Sequence, residues 1–176
     1  MRAGFWMLAV FATAWASAAL LADNVGAAWL WLPWSLSGFL LVRALGDPAT
    51  ARPAEPHVRA LVLRWSAIEV IGIIIAVRVL TILHRPDAIF AAVALIVGLH
   101  FLPLARGMPA RVYHATAIGL VLAGAGGMLL PVAQHAVVIG WAGAVILWAT
   151  MIARVAELRA YAVPYIGADN PQRSEA

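Results

Sequence analysis

The chain contains six apolar runs, each long enough to cross a lipid bilayer as a helix. They cover residues 4–22, 27–45, 60–82, 88–105, 112–132 and 136–155. A membrane-spanning helix needs about 20 predominantly apolar residues. The sequence therefore predicts an all-α fold, a polytopic membrane bundle of six transmembrane helices.

The composition indicates an integral membrane protein. Hydrophobic residues make up 64% of the chain and charged residues 11%, whereas soluble domains average about 45–50% apolar and about 25% charged residues. The absence of cysteine from the sequence excludes disulfides, thiol catalysis and thiolate metal sites. The net charge of +4 does not predict nucleic-acid binding, because the arginines lie at helix ends and form no stripe.

The placement of arginine predicts how the helices are oriented. Cytoplasmic loops of membrane proteins are enriched in Arg and Lys. Most arginines lie at or next to the start of helix one, the connection of helices two and three, the connection of helices four and five, or the end of helix six: Arg2, Arg43, Arg52, Arg59, Arg64, Arg106, Arg111, Arg154, Arg159 and Arg173. We therefore expect both termini in the cytoplasm (N-in, C-in) of a bacterial inner membrane. Residues 1–156 then form one transmembrane domain, and residues 157–176 form a polar cytoplasmic tail that we expect to be frayed or disordered.

The first apolar run leaves an alternative open. Met1-Arg2, the apolar stretch and Ala16-Ser17-Ala18 together imitate a secretory signal peptide. The run of about 18 residues is longer than the 7–15 of a typical signal peptide core, which favours a retained helix. Cleavage would leave five helices, with the N-terminus outside.

A single acidic residue interrupts the third apolar run. Glu69 lies about 3 Å to the cytoplasmic side of the midpoint of that helix. Ionisable groups at such a depth are costly and are functional candidates. Trp65 and Ser66 lie one turn away on the same helix face, which is smaller and more polar than the others. We therefore expect Glu69 to face the interior of the bundle.

His100 is the predicted partner of Glu69. It lies in helix four at a matching depth, and sequential helices joined by a short loop are usually neighbours. Pro103 frees a backbone carbonyl one turn earlier, and that carbonyl can hold water or a ligand beside the histidine. Tyr113 and His114, at the start of helix five, could extend a polar line toward the cytoplasmic surface.

Two roles stay open for the pair. A buried Glu–His pair can relay a proton, since histidine titrates near neutral pH. Alternatively, a protonated Glu69 that is hydrogen-bonded to His100 or Ser66 holds the register of the two helices and does nothing more.

The other histidines and the known motifs predict no further chemistry. His57, His84 and His135 lie at loops or helix ends, where we expect them to be solvated. The sequence has no His-Glu-x-x-His spacing, no phosphate loop and no Gly-x-Ser-x-Gly nucleophile motif. We therefore expect no metal, no cofactor and no catalytic residue.

Small residues recur at every fourth position in the last two helices. They are Ala115, Gly119, Ala123 and Gly127 in helix five and Ala136, Gly140 and Ala144 in helix six. Such stripes let helix backbones approach closely in a membrane. They favour packing of helix five on helix six or on its neighbours, and a homo-oligomer through the same faces is the alternative.

Two segments resemble known membrane proteins. The segment Gly98-Leu-His100-Phe-Leu-Pro-Leu-Ala105 resembles the signature of small bacterial multi-pass membrane proteins of uncharacterised activity, which implies a fold and no function. The segment Ala67-Ile-Glu69-Val-Ile-Gly72 is similar to the first helix of small multidrug resistance transporters, in which a membrane glutamate exchanges protons for cationic drugs. Helices three to six would then be the four-helix unit, with two further helices before it.

The sequence leaves the function between two main hypotheses. The first is an inner-membrane protein, partnered by the lipid bilayer, with a structural or accessory role and no enzymatic activity. The second is a small proton-coupled transporter that uses Glu69, with His100 as the relay. An intramembrane enzyme is a third and weaker hypothesis. Transport predicts a water-accessible cavity that reaches Glu69, whereas a dry, tightly packed Glu69 predicts a structural role.

Overall fold

A computed structural model describes residues 2–51, 55–108 and 110–166, and these residues form six α-helices and three single-turn 3-10 helices. The α-helices are α1 (Arg2–Ala22), α2 (Trp31–Leu45), α3 (Pro56–Ile82), α4 (Ile89–Gly107), α5 (Val112–Gly127) and α6 (Val132–Ile166). The 3-10 turns are Ala27–Leu30, Pro48–Thr50 and Pro86–Ala88. The described part of the chain contains no strand, so the predicted all-α class is confirmed.

Five of the six helices are long and apolar enough to cross a membrane, which makes the chain a multi-pass membrane protein. The exception is α5, which has 16 residues and extends about 24 Å, less than the roughly 30 Å of a hydrocarbon core. The α2 helix has 15 residues by itself, and it forms a span of 19 residues together with the 3-10 turn Ala27–Leu30 that precedes it. The sequence predicted that α5 continues to Val132, but it ends at Gly127. Glycine is a poor helix former and proline cannot continue a helix, so the glycines before Met128 and Pro131 after it end α5 early.

The helices are arranged around α6, which packs on α1, α2, α4 and α5. The α1 helix also packs on α2, and the α4 helix also packs on α5 and α3. The α3 helix lies at the edge of the bundle, where it packs on α4 and makes little direct contact with α1. This arrangement leaves most of α3 facing outward, and Glu69 is its one buried residue.

The α1 helix packs closely on α6. A Cβ atom added at Gly140 would come within 2.8 Å of the Ala19 Cβ and 3.0 Å of the Trp15 carbonyl oxygen. Gly143 faces the Trp15 indole in the same way. The side of α1 that meets α6 is a stripe of buried residues spaced three or four apart, among them Leu8, Ala12, Trp15 and Ala19. Glycines therefore let the two backbones approach as small-residue stripes do in membrane helix pairs.

The small-residue stripes of α5 and α6 pack on different partners. Gly119 and Gly127 of α5 contact Ile146 and Ile139 of α6, as predicted. The stripe of α6 itself, represented by Gly140, packs on α1. These contacts all lie within one chain, and the homo-oligomer alternative stays a prediction.

Polar contacts gather the ends of several helices at one end of the bundle. Arg2 Nη2 donates to the Leu45 carbonyl oxygen at 3.4 Å, and Arg159 Nε donates to Asp47 Oδ2 at 2.6 Å. The Val112 backbone N–H donates to Glu157 Oε1 at 2.9 Å. We call this end the arginine end. It holds the start of α1 and the later turns of α6 within the described residues.

The polar tail predicted from residue 157 begins as a continuation of α6. That helix has 35 residues, or about 52 Å, and runs on to Ile166. Leu158 is buried against the bundle, which explains why the helix persists past its last apolar run. The rest of the predicted tail, residues 167–176, lies outside the described residues.

The described start of the connection between α2 and α3, residues 46–51, is docked on the bundle. Asp47 Oδ1 accepts a hydrogen bond from the Ala49 backbone N–H at 2.9 Å, and Asp47 Oδ2 pairs with Arg159 of α6. The fully buried Thr50 donates to the Ala44 carbonyl oxygen at 2.7 Å. The Ala49 N–H, followed by Arg159, holds the pKa of Asp47 below its ordinary value.

One histidine expected to be solvated is buried at the opposite end. His135 lies in the first turn of α6 and is 4% exposed. Its Nε2 lies 2.9 Å from the Leu130 carbonyl oxygen, and its Nδ1 lies 3.2 Å from the Asp87 carbonyl oxygen. The expectation of a solvated side chain was wrong, because the turn at Pro86–Ala88 folds over the start of α6.

Gly140→Ala is expected to lower the thermal unfolding temperature of the detergent-solubilised protein, followed by circular dichroism. The added methyl group meets backbone and Cβ atoms of α1 that cannot rotate away, and overpacking typically costs about 1–3 kcal/mol. Gly38→Ala is the matched control, because an added Cβ there meets nothing within 4 Å. Similar melting temperatures for the two variants would contradict a close α1–α6 contact.

Asp47→Asn is expected to destabilise the protein at pH 7. A carboxylate with a lowered pKa stabilises the folded state above its unfolded value, and this contribution is lost as the pH falls through the folded value. The difference in unfolding temperature between parent and variant should therefore shrink below about pH 4. Asp23→Asn, at an exposed position, should match the parent at every pH. A gap that stays constant down to low pH would refute the role assigned to the Asp47 charge.

Candidate functional site

The structure brings Glu69 and His100 together in the interior, between α3 and α4. Glu69 Oε2 lies 3.6 Å from His100 Nε2, and the two side chains are 4% and 5% exposed. On the predicted inward face of α3, Trp65 and Ser66 are half-buried, whereas Val70, on another face, is exposed. One turn beyond Glu69, Gly72 lets the Ile96 side chain of α4 approach the α3 backbone.

A small cavity lies beside the pair. The distance of 3.6 Å is longer than a hydrogen bond between nitrogen and oxygen. A cavity of about 30 Å³ is lined by both side chains and by apolar residues of α1, α4 and α6. A buried water needs room for one molecule and polar partners, and this cavity offers both. A water there can bridge Glu69 to His100.

A larger cavity also borders His100. It has a volume of about 470 Å³ and extends from the His100 ring and Ser66 down to the arginine end. The α1 helix contributes Phe5 and Leu8 to its wall, and α4 contributes Leu104. Because α3 packs on α4 and hardly on α1, the space between α1 and α3 stays open. Glu69 does not line this larger cavity, whereas His100 lines both.

Two buried polar atoms near the larger cavity lack hydrogen-bond partners among the described residues. They are Ser66 Oγ and His100 Nδ1. The Trp65 backbone lies near the His100 ring, but no group among the described residues meets the geometry of a hydrogen bond to Nδ1. Leaving such an atom unsatisfied costs about 1–3 kcal/mol. Unsatisfied polar groups of this kind are places where water or a ligand supplies the missing bond.

Three side chains that the sequence did not single out as a cluster meet at the arginine end of the larger cavity. Arg154 Nη1 donates to Glu157 Oε2 at 2.9 Å, and its guanidinium carbon lies 5.7 Å from the centre of the Tyr113 ring. Glu157 also accepts from the first backbone N–H of α5. The sequence feature that could have predicted the contact between Arg154 and Glu157 is their three-residue spacing, which places them on one helix face. The contact with Tyr113 depends on how α5 meets α6.

The structure does not bring every predicted residue to the site. His114 is exposed and lines neither cavity, whereas its neighbour Tyr113 lines the larger one. Consecutive residues of a helix point about 100° apart, so only one of the two can face inward. Trp65 packs against the core but lines neither cavity.

The described residues hold no group of three or more His, Asp or Glu side chains that could bind a metal ion. No protein-family profile, curated protein or solved structure matches the chain. The resemblance of residues 98–105 to uncharacterised bacterial membrane proteins therefore stays a prediction, as does the weaker similarity of residues 67–72 to small multidrug resistance transporters.

Single cysteines can test whether the larger cavity contains water, because the natural sequence has none. Ser66→Cys is expected to react with a membrane-impermeant thiol reagent added at the arginine end, since thiolate formation needs access to water. Ser17→Cys is the matched control, because the Ser17 hydroxyl is also buried and unpartnered among the described residues but lies away from both cavities. Labelling is followed by the mass increase of the intact protein. Equal labelling of the two variants would show that the larger cavity does not give water and the reagent access to residue 66.

Proposed function

We propose that this protein is a small proton-coupled transporter of the bacterial inner membrane, with the arginine end in the cytoplasm. In this proposal a small molecule binds in the larger cavity, and the Glu69–His100 pair takes up or releases a proton as that cavity fills or empties. The supporting observation is the position of the His100 ring, which borders the small cavity beside Glu69 and also the larger cavity.

The cost of burying charge supports a proton-exchanging pair. An ionised carboxylate in the membrane interior is expensive unless it is paired. Glu69 and His100 can be neutral together, or they can form an ion pair after a proton moves between them through one bridging water. Filling the larger cavity changes the polarity around His100 and so changes the balance between these two states. Tyr113, Arg59 and Arg154 are the other titratable side chains that face the larger cavity.

The position of α3 at the edge of the bundle supports α3 as the element that moves during transport. Many transporters alternate access by rocking one group of helices against another around a fixed site. The Glu69–His100 contact crosses the α3–α4 interface, and α3 packs on no other long helix to a comparable extent. A displacement of α3 would therefore separate or join the pair while the packing around α6 stays intact.

The assignment of the arginine end to the cytoplasm follows the excess of positive charge. Cytoplasmic ends of membrane helices carry more Arg and Lys than the opposite ends. The opposite end of this bundle carries Arg85, and that side chain is paired with Asp87 at 3.1 Å.

A structural or accessory role is the second candidate. It is favoured by the burial of Glu69 and by the fact that this carboxyl group does not line the larger cavity. A fixed Glu–His contact would then set the register of α3 on α4, a specificity role that buried polar pairs serve in some proteins.

Infrared difference spectroscopy of the protein in nanodiscs separates the two candidates. If Glu69 and His100 relay a proton, the infrared C=O band of the Glu69 carboxyl group should change with pH. The change should fall between about pH 5 and about pH 9, the range over which histidine and perturbed carboxyl groups titrate. Glu69→Gln should remove this band, and the exposed Glu55→Gln is the matched control that should keep it. His100→Gln should shift the pH at which the band changes.

A carboxyl band of Glu69 that is constant over this pH range would exclude the relay. In that case Glu69→Gln and His100→Gln are expected to show only a shared loss of stability. The coupling energy between two residues in contact is about 0.5–3 kcal/mol. A double-mutant cycle that compares the stabilities of the parent, the two single variants and the double variant measures the coupling between Glu69 and His100.

A further inference from the structure

We propose that the larger cavity binds a lipophilic acid, a single-chain amphiphile whose anionic head group lies at the arginine end and whose apolar chain extends toward His100. This names a ligand class for the proposed transporter. The coupling to Glu69 rests on the proposed function, whereas the binding itself rests on the cavity.

The size and the walls of the cavity fit one apolar chain. A volume of about 470 Å³ falls within the range of about 300–1,000 Å³ that is usual for sites that bind one small molecule. Its middle is walled by apolar side chains from α1, α3 and α4, such as Leu8, Val62 and Leu104. Burying an alkyl chain there gains about 0.8 kcal/mol for each CH₂ group taken out of water.

The charges around the cavity favour an anion. Among the described residues, its wall includes Arg59, Arg154 and His100 and no carboxylate. Glu157 pairs with Arg154 from outside the wall, and Glu69 lies behind His100. Arg59 is exposed at the mouth and forms no ion pair within the part of the chain that the structure describes. A head group placed there meets positive charge, so a cationic amphiphile would be repelled.

The spacing of these groups sets the orientation of the ligand. Arg59 and Ser66 both line the cavity from α3 and are separated by seven residues, or about 10 Å along the helix axis. A ligand with its head group at Arg59 therefore lies parallel to the helices, with its chain at the depth of the bilayer's own acyl chains. It has the orientation of a lipid in the leaflet at the arginine end.

The gap between α1 and α3 provides a route from that leaflet. The two helices make little direct contact, and Leu63, which borders the cavity, is also exposed on the outer surface of the bundle. An amphiphile can therefore enter sideways with its head group still at the membrane surface. This route differs from a cationic ligand binding at the membrane glutamate, which similarity to the multidrug transporters would imply.

Binding of radiolabelled decanoate to the protein in nanodiscs of uncharged lipid tests this inference. Decanoate should bind saturably, and unlabelled decyltrimethylammonium should not displace it. Arg59→Gln should weaken binding about fivefold, as expected for an exposed ion pair. Arg64→Gln is the matched control, because Arg64 is exposed on the same helix and does not line the cavity. Equal effects of the two variants, or displacement by the cation, would overturn the proposal.

A second variant locates the binding site. Gly4 lines the cavity, and a Cβ atom added there meets nothing within 4 Å. Gly4→Leu should therefore fold normally, place a branched side chain in the cavity and abolish decanoate binding. Gly38→Leu, at an equally open position on α2, should bind like the parent. Undiminished binding by Gly4→Leu would place the ligand elsewhere and overturn the proposal.

The failure of this inference can be told apart from failure of the proposed function. If decanoate does not bind while the Glu69 carboxyl band still titrates with pH, the ligand class is wrong and the proton-exchanging pair stands. If decanoate binds in an Arg59-dependent way and the Glu69 band is constant with pH, the ligand class stands and the proton coupling is wrong.

Discussion

The close contact of α1 with α6 is the constraint on which the rest of the bundle depends. Gly140 and Gly143 allow the backbone of α1 to approach α6, and the α1 stripe that contains Ala12, Trp15 and Ala19 is buried there. With α1, α2, α4 and α5 all packed on α6, no position beside it is left for α3. The α3 helix therefore packs on α4 at the edge, and the space between α1 and α3 becomes the larger cavity.

That arrangement places the buried Glu69–His100 pair beside two cavities of different size. Glu69 lines a small cavity with room for about one water molecule, and His100 lines both this cavity and the larger one. Burial of the carboxyl group and the imidazole costs less when the pair is neutral overall than when either group is charged without a partner. The site thus combines a polar contact inside the membrane with an apolar space that is open toward the lipid. The proposed proton exchange and the proposed binding of an amphiphile both depend on this combination.

Much of the fold and part of the site could be predicted from the sequence. The helices follow from apolar length, and the inward face of α3 follows from helical periodicity, because Glu69 is too costly to expose to lipid. The pairing with His100 follows from matching depth on sequential helices. The early end of α5 at Gly127 was missed, because an apolar run does not show where glycines weaken a helix. His135 was expected in solvent, since nothing local shows that the turn at Pro86–Ala88 covers it.

The sequence by itself determined the class of the protein, the number of helices and the position of one carboxyl group in the interior, because hydrophobic length and the cost of burying charge act on each segment separately. Only the tertiary structure decided which helix each small-residue stripe meets, and it alone placed Arg154 and Tyr113 together in the wall of a cavity, with Glu157 paired to Arg154. The physical reason is that helices in a membrane associate by close packing of shape. The surface of one helix can pack on several other helices, and which pairs form depends on how all six helices pack together.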